Sequence, residues 1–310
     1  METTAPLVSV IVPTFNRAAY LREAVASVFA QTYANWELLV ADDGSSDGTR
    51  DYLASLGDSR VHVMTCPHSG NPGKVRNAAL ALARGFYVAF LDDDDLWMPD
   101  KLQLQVADLA ARPSCHWSYT HYSRIGPRLE PVPAGPPRPV SGWALAWLVS
   151  GARMATPTVL AERSLVSRVH GFDESLPTSE DYDLFVRLAM VSEVACVDRA
   201  LCAVRNHPSN TWKASTLESL MGDVLRVYEK LLAGNLPPDI REACERRRVE
   251  WKIRRAYWFG ARWRLGSCAR HLVDAVRSAR GLPASWLLKT CLRPLMPPPA
   301  MRVYRALRAL

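Results

Sequence analysis

The stretch from Phe90 to Asp100, FLDDDDLWMPD, constrains this chain more than any other. Asp92 to Asp95 are consecutive acids that follow an apolar run and lead straight into Leu96, Trp97 and Met98. Like charges in a row repel, and burying carboxylates is costly unless a cation or hydrogen bonds offset them. The ordinary meaning of an acid run is a solvated loop or a helix cap. Here the flanking apolar residues pin the acids beside buried surface, so a cation is the expected offset. Hard divalent ions such as Mg²⁺ and Mn²⁺ take oxygen ligands, held by one or two carboxylates plus substrate phosphates. Such an ion clamps a diphosphate and stabilises the charge that develops as it leaves.

The acids end one strand in a regular alternation. Residues 7–13 (LVSVIVP), 36–42 (WELLVAD), 60–66 (RVHVMTC) and 86–92 (FYVAFLD) read as strands, short and rich in apolar and β-branched residues. Residues 18–31 place apolar side chains at helical spacing, DGSSDGT reads as a turn capping the next helix, and 73–85 reads as a helix closed by Gly85. This alternation predicts right-handed βαβ units and an α/β fold with a doubly wound, mainly parallel sheet. CHWSYTHY reads as a further, alternating strand, with His116, Trp117, Tyr119 and His121 as packing and pocket wall. The pattern breaks over 124–141, a proline-rich loop, and resumes to about 212. Beyond 216 the chain reads as helical, with proline breaks at 237–238, 283, 294 and 297–299.

In an open α/β sheet, ligands bind beyond the carboxyl ends of the strands. Three polar clusters fall at such ends: PTFNR (13–17), DDGSSD (42–47) and DDDDLW (92–97). Together they point to one site on one edge of one sheet. No GxGxxG follows the first strand, which argues against a dinucleotide-dependent dehydrogenase. A nucleotidyltransferase making sugar nucleotides is expected to carry a glycine-rich loop with a basic residue there, and this chain has PTFNR.

With 310 residues and 48% hydrophobic content, the chain is long enough for one sizeable core and a smaller second unit. Its 7 cysteines include no CxxC pair and no zinc spacing, which fits a reducing compartment and no disulfide scaffold. No apolar run reaches the roughly 18 residues of a membrane span. The first residues lack the pattern of a secretory signal. A cytoplasmic protein is expected. Charge is uneven: residues 216–310 hold 19 Lys/Arg against 8 Asp/Glu, and the first 215 hold 19 against 23. Opposite balances predict two regions with two jobs.

VSVIVPTFNR, VADDGSSDGT, FLDDDDLWMPDKL and TSEDYDLFVRLA resemble, in order, the successive signatures of family 2 glycosyltransferases of the GT-A fold. The resemblance covers about the first 210 residues. It implies a GT-A transferase domain over 1–215, followed by a basic helical region over 216–310. In that family the first loop and the aspartate of the second strand hold the nucleotide, which here implies Pro13, Thr14, Asn16 and Asp43. Asp42 and Asp47 keep the turn and cap reading, which is open for Asp43 too. Arg76 matches the segment facing the diphosphate, with Lys74 as the alternative and an exposed helix-face base as the plain reading of both. The acidic motif maps to Asp92, Asp93 and Asp94. Asp94 is the expected metal ligand and Asp92 the expected contact to ribose or donor sugar, with Asp93 leaving the pair of assignments open. His207 matches a histidine that helps hold the metal or diphosphate; a lone surface histidine before a proline is the other reading.

TSEDYDLFVRLA reads as a helix start that Ser179 or Thr178 can cap. The family reading makes Asp181, beside Glu180, the general base that takes the proton from an acceptor hydroxyl, which implies inversion at the anomeric carbon. Gly171 falls in a segment resembling the acceptor loop. The resemblance thus implies a nucleotide-sugar donor, UDP-linked by family habit, a divalent metal (Mn²⁺ or Mg²⁺), and a glycan or polyprenyl-linked acceptor in cell-surface polysaccharide synthesis. A non-catalytic nucleotide-sugar or glycan-binding module on the same fold is the alternative. For the basic region, Arg mixed with Trp and Tyr over 241–265 reads either as an element for an anionic membrane surface, peripheral on the inner face, or as a solvated helical cover for the core. No recognition motif supports nucleic-acid binding.

Overall fold

The computed structural model describes residues 5–132, 139–152, 154–207, 217–279 and 281–292. The chain divides into two compact units, Met1–Leu148 with Ala152–Lys213, and Val149–Gly151 with Ala214–Leu310. The elements up to the last strand are β1 (Val8–Thr14), α1 (Ala18–Phe29), β2 (Trp36–Asp42), α2 (Thr49–Ala54), β3 (Val61–Thr65), α3 (Pro72–Leu80), β4 (Tyr87–Phe90), β5 (Leu96–Trp97), α4 (Lys101–Ala110), β6 (Cys115–Ile125), β7 (Pro131–Val132), α5 (Leu145–Val149), β8 (Leu160–Glu162), α6 (Arg163–Arg168), α7 (Glu180–Ala189) and β9 (Glu193–Arg205).

The strands form one sheet in the order β3-β2-β1-β4-β8-β6-β9-β5, with β7 paired to β6. β3, β2, β1 and β4 are mutually parallel. β1, β2 and β4 are buried along nearly their whole length, as strands covered on both faces are, whereas β3, at the edge, is only partly buried. Val8, Val10, Val12, Leu38, Val40 and Ala89 join Leu21, Ala24, Val25 and Val28 of α1, and Leu102, Val106 and Leu109 of α4, in one buried cluster. Those helical positions recur at intervals of three and four, the spacing that puts side chains on one helical face. Beyond β4 the sheet is mixed: β8 runs antiparallel to β4 and β6, whereas β6 and β9 are parallel.

Register sets the site. Thr14 pairs with Asp42 and Ile11 with Phe90, so the loops after β1, β2 and β4 leave the sheet at the same edge. β5 pairs antiparallel with β9, Leu96 opposite Ala203. This brings the end of β9, Arg205, and His207 beyond it, alongside Asp94 and Asp95.

Two local expectations differ from the structure. The helix expected over 73–85 ends at Leu80. Gly85 does not cap it: its amide donates to Ser9 Oγ at 2.8 Å, and a β-carbon there would lie 2.6 Å from the Ser9 amide nitrogen. Gly85 is required by close approach of backbone to β1. At the start of α7, Ser179 occupies the cap position but makes no side-chain cap bond; its hydroxyl is buried without a partner.

The second unit holds α8 (Leu217–Ala233), α9 (Pro238–Gly260), α10 (Leu265–Ser278) and α11 (Ala284–Leu292). Val249 and Ile253 of α9 pack with Ala275 and Ala279, and with Trp286, Leu287 and Cys291 of α11. Among the described residues no helix is long and apolar enough to cross a membrane. The expected proline breaks at 294 and 297–299, and much of the proline-rich loop, lie outside the described residues.

Candidate active site

The first two loops are tied together by Asn16, a non-glycine residue with φ of 51°. Its Oδ1 accepts from the amides of Ser46 (2.7 Å) and Asp47 (3.3 Å), and its own amide donates to Ser45 Oγ. These bonds hold the left-handed backbone in place. Asp42 accepts from the Ser45 amide and pairs with Arg50, and Asp47 accepts from the amide and hydroxyl of Thr49. Both therefore serve the turn. Asp43 differs. Its Oδ1 accepts from the amide and hydroxyl of Ser69, its Oδ2 accepts from the Gly70 amide, and His68 Nδ1 lies 3.0 Å from Oδ2. The His68 ring stacks on Phe15 with centroids 4.0 Å apart. Asp43 is thus held beside a stacked aromatic pair at the end of β2.

Three of the four consecutive acids are buried, and Asp92 is partly exposed. Asp93, Asp94 and Asp95 are 4%, 8% and 3% exposed. Their charge is offset by side chains from far along the sequence. Arg17 Nη1 reaches Asp93 Oδ1 (3.0 Å) and Asp94 Oδ2 (2.7 Å). Thr14 donates its hydroxyl to Asp93 Oδ2 at 2.8 Å. Asp92 accepts from Arg76, whose other nitrogen meets Glu180 Oε1 at 2.7 Å. Arg205, 1% exposed, donates its amide to Asp95 Oδ1 (2.8 Å), Nε to the Asp94 carbonyl (2.8 Å), Nη1 to the Pro127 carbonyl and Nη2 to Glu23 Oε2 (2.6 Å). His207 Nε2 lies 2.9 Å from Asp94 Oδ2, with its ring against Tyr20.

Burial and crowding shape the protonation of this edge. Burial, then the neighbouring Asp94 charge, pushes the Asp93 carboxyl up to about 7 against the pull of Arg17. Asp92 and Asp95 are raised by the same causes, burial first. Burial lifts Glu180 to about 7, Arg76 pulls it back and the Asp181 charge adds to the rise. Burial would lower Arg76, but Asp92 and Glu180 more than offset it and hold that guanidinium charged.

Asp181 lies at the start of α7, half-buried, with Oδ2 accepting from the Thr156 hydroxyl at 3.1 Å and Oδ1 from the Tyr182 amide. Glu180 faces inward onto Arg76; Asp181 does not share that ion pair. Arg76 is buried between Asp92 and Glu180, so it bridges the end of β4 to α7. The Lys74 amide donates to Asn71 Oδ1, which caps α3. Gly171, with φ of 63°, lies against Asn77: a β-carbon would meet Asn77 Oδ1 at 2.7 Å. Its backbone approach is thus to α3. Pro13 is the penultimate residue of β1. His121 pairs with Asp198, and Trp117 and Tyr119 are buried.

Among the described residues no three His, Cys, Asp or Glu side chains converge to hold a metal unaided. Asp94 and His207 nonetheless supply a carboxylate oxygen and an imidazole nitrogen side by side. That donor set fits a hard or borderline divalent ion that completes its shell with diphosphate oxygens and water. Such an ion would share Asp94 with Arg17.

Sequence reasoning passed over Arg17 and Arg205. Arg17 closes the PTFNR cluster, and a base at a strand end facing an acid run is a readable signal. Arg205 lies 111 positions from its Asp94 partner, and nothing local marks it.

The sequence profile of "Glycosyl transferase family 2" matches residues 9–131. Escherichia coli WfgD, a UDP-Glc:alpha-D-GlcNAc-diphosphoundecaprenol beta-1,3-glucosyltransferase, is 40% identical over 38% of this chain and 47% of its own length. The chain spans about half the length of the curated relatives it matches most strongly over this region. An uncharacterised glycosyltransferase of Rickettsia typhi is 30% identical over 76% of this chain and 73% of its own length. In fold, the chain is similar to S. aureus TarS solved with UDP-GlcNAc, at 21% identity and a TM-score of 0.70 over 90% of this chain and 82% of that one.

Proposed function

Since the chain belongs to the family 2 glycosyltransferases and has their GT-A fold, we propose that it is an inverting glycosyltransferase. It moves a sugar from a UDP-linked donor to a hydroxyl of a glycan or polyprenyl-linked glycan. The observation that carries this reading is the convergence of Arg17, Asp93, Asp94 and His207 at the carboxyl edge of the sheet. A cationic side chain and a divalent-ion donor pair meet there, on the same sheet edge as Asp43.

Asp43, with Pro13, Thr14 and Asn16 of the neighbouring loop, receives the base and ribose. Asp92 and Asp93 line the donor side, and Arg76 and Glu180 lock the strand end to α7. A divalent ion, Mn²⁺ or Mg²⁺, would be held by Asp94 and His207, and would supply charge neutralisation for the departing diphosphate. Arg17, between Asp93 and Asp94, faces the same negative charge. Asp181 takes the acceptor's proton: it is half-buried, is oriented by Thr156, and is outside the Arg76 ion pair that occupies Glu180. Gly171 keeps the acceptor-side loop packed on α3. UDP is favoured because TarS was solved with UDP-GlcNAc and WfgD is named for UDP-Glc. The latter name also supports a polyprenyl diphosphate-linked acceptor.

The test is thermal shift and nucleotide release with UDP-, GDP- and dTDP-sugars, each with Mn²⁺, Mg²⁺ or EDTA. Asp94→Ala should abolish the metal-dependent stabilisation. Asp181→Asn should keep it and lose turnover by about 10³-fold, the scale of general-base catalysis. Metal-independent binding unchanged in Asp94→Ala would remove the metal assignment. No nucleotide binding by folded wild type would leave a glycan-binding module as the function.

A further inference from the structure

The second unit carries a surface to which the proposed function assigns no role. α9 ends in a reverse-bonded cap: the Arg264 amide donates to the Phe259 carbonyl and the Trp263 amide to the Gly260 carbonyl, both at 3.0 Å. This is the pattern that places a left-handed residue just past a helix, ordinarily glycine. Trp263 holds that position, with φ of 58°. A bulky side chain strains such backbone, and this indole gains no burial in return, being 87% exposed.

α10 continues the feature. Leu265, Ala269, Val273 and Val276 recur at i, i+4, i+8 and i+11 and are all exposed, so they form a single stripe. The opposite side faces inward, with Ala275 buried and His271 stacked on Phe259. Arg270 and Arg277 border the stripe, and Arg262 and Arg264 flank Trp263; all four are exposed. The Arg262 guanidinium lies over the Trp258 ring at 3.9 Å and Arg264 over Phe259 at 4.7 Å. Asp274 is the single acid between 261 and 279, and it is paired with Lys252 at 2.8 Å; Glu218 of α8 lies 3.7 Å from Arg264.

We infer that Trp263 and the Leu265–Val276 stripe of α10 form a docking surface for an anionic lipid bilayer. The apolar stripe and the indole enter the boundary between headgroups and acyl chains, and Arg262, Arg270 and Arg277 meet lipid phosphates. Charge complementarity selects this occupant. A second copy of the same face would set arginine against arginine, and a nucleic acid would leave the apolar stripe in water. The inference concerns the second unit alone and stands independently of the donor, metal and base assignments.

The experiment is co-sedimentation of the full chain with vesicles of phosphatidylcholine alone or mixed with phosphatidylglycerol, at low and high salt. The expected result is binding to the anionic vesicles that weakens with salt. Trp263→Gly should weaken partition about tenfold while its thermal midpoint holds or rises, because glycine relieves the left-handed strain. A purely structural tryptophan would give the reverse, a lower midpoint and unchanged partition. Val273→Glu should also lose vesicle binding, and Arg270→Glu with Arg277→Glu should erase the preference for anionic lipid. Equal partition of wild type, Trp263→Gly and Val273→Glu would overturn the inference. So would a wild-type dimer in solution that Val273→Glu dissociates, or binding of single-stranded RNA without binding of vesicles.

Discussion

Arg17, Arg76 and Arg205 have side chains 27%, 6% and 1% exposed among the acids at the end of β4, whereas Arg262, Arg264, Arg270 and Arg277 stand in water around α10. The same side chain thus does two jobs. At the sheet edge each guanidinium is spent on fixed acceptors: Arg205 alone meets two backbone carbonyls and Glu23. Its planar array of donors matches acceptors in several directions, which a lysine could not. Around α10 the guanidiniums lie over rings or border an apolar stripe, and Arg264 also faces Glu218 at 3.7 Å. Charge buried with its partners makes a rigid site; charge left displayed makes a surface.

The largest effect expected from this contrast is at Arg205. Arg205→Met should lower the unfolding free energy by about 3–5 kcal/mol, because it leaves buried acceptors without donors. Urea titration checks this, and a loss below about 1 kcal/mol would mean that the acid loop holds itself.

A smaller effect, of opposite sign, is expected at Lys101. It is fully buried, bonded to Gln105 Oε1 at 2.6 Å and set 4.1 Å from the centre of the Trp97 ring. Burial lowers its pKa from 10.5 to about 8. Between those values the unfolded chain binds more protons than the folded one, so wild-type stability should rise with pH across that window. Below it the desolvation penalty is fully present. Lys101→Met should therefore be more stable at pH 7 by about 1–2 kcal/mol, after allowing for the lost hydrogen bond. The gap should close as pH approaches 10, which paired denaturation curves at pH 7 and 10 would measure.

The smallest effect is expected on the displayed side. Arg270→Gln and Arg277→Gln should each change stability by no more than about 0.5 kcal/mol, as judged by thermal midpoints. A loss comparable with that at Arg205 would place these arginines in the fold and not on a surface.

Much of the molecule was legible along the chain. Short apolar runs without alternation marked β1, β2 and β4, since strands covered on both faces need no polar side. Polar clusters at their ends do gather on one edge of the sheet, with the acid run among them. Gly85 was misread as a cap because close approach between distant backbones leaves no periodic trace. The lost side-chain cap at Ser179 has a similar cause: its hydroxyl faces inward.

The sequence by itself determined the parallel core, the edge on which the loops gather and the acids that crowd there, because each follows from local spacing and from burial. Only the tertiary structure decided which distant groups meet those acids. Arg205 and His207 reach Asp94 because β5 pairs antiparallel with β9, Leu96 opposite Ala203. That register depends on sheet order across more than a hundred residues, and no local pattern encodes it.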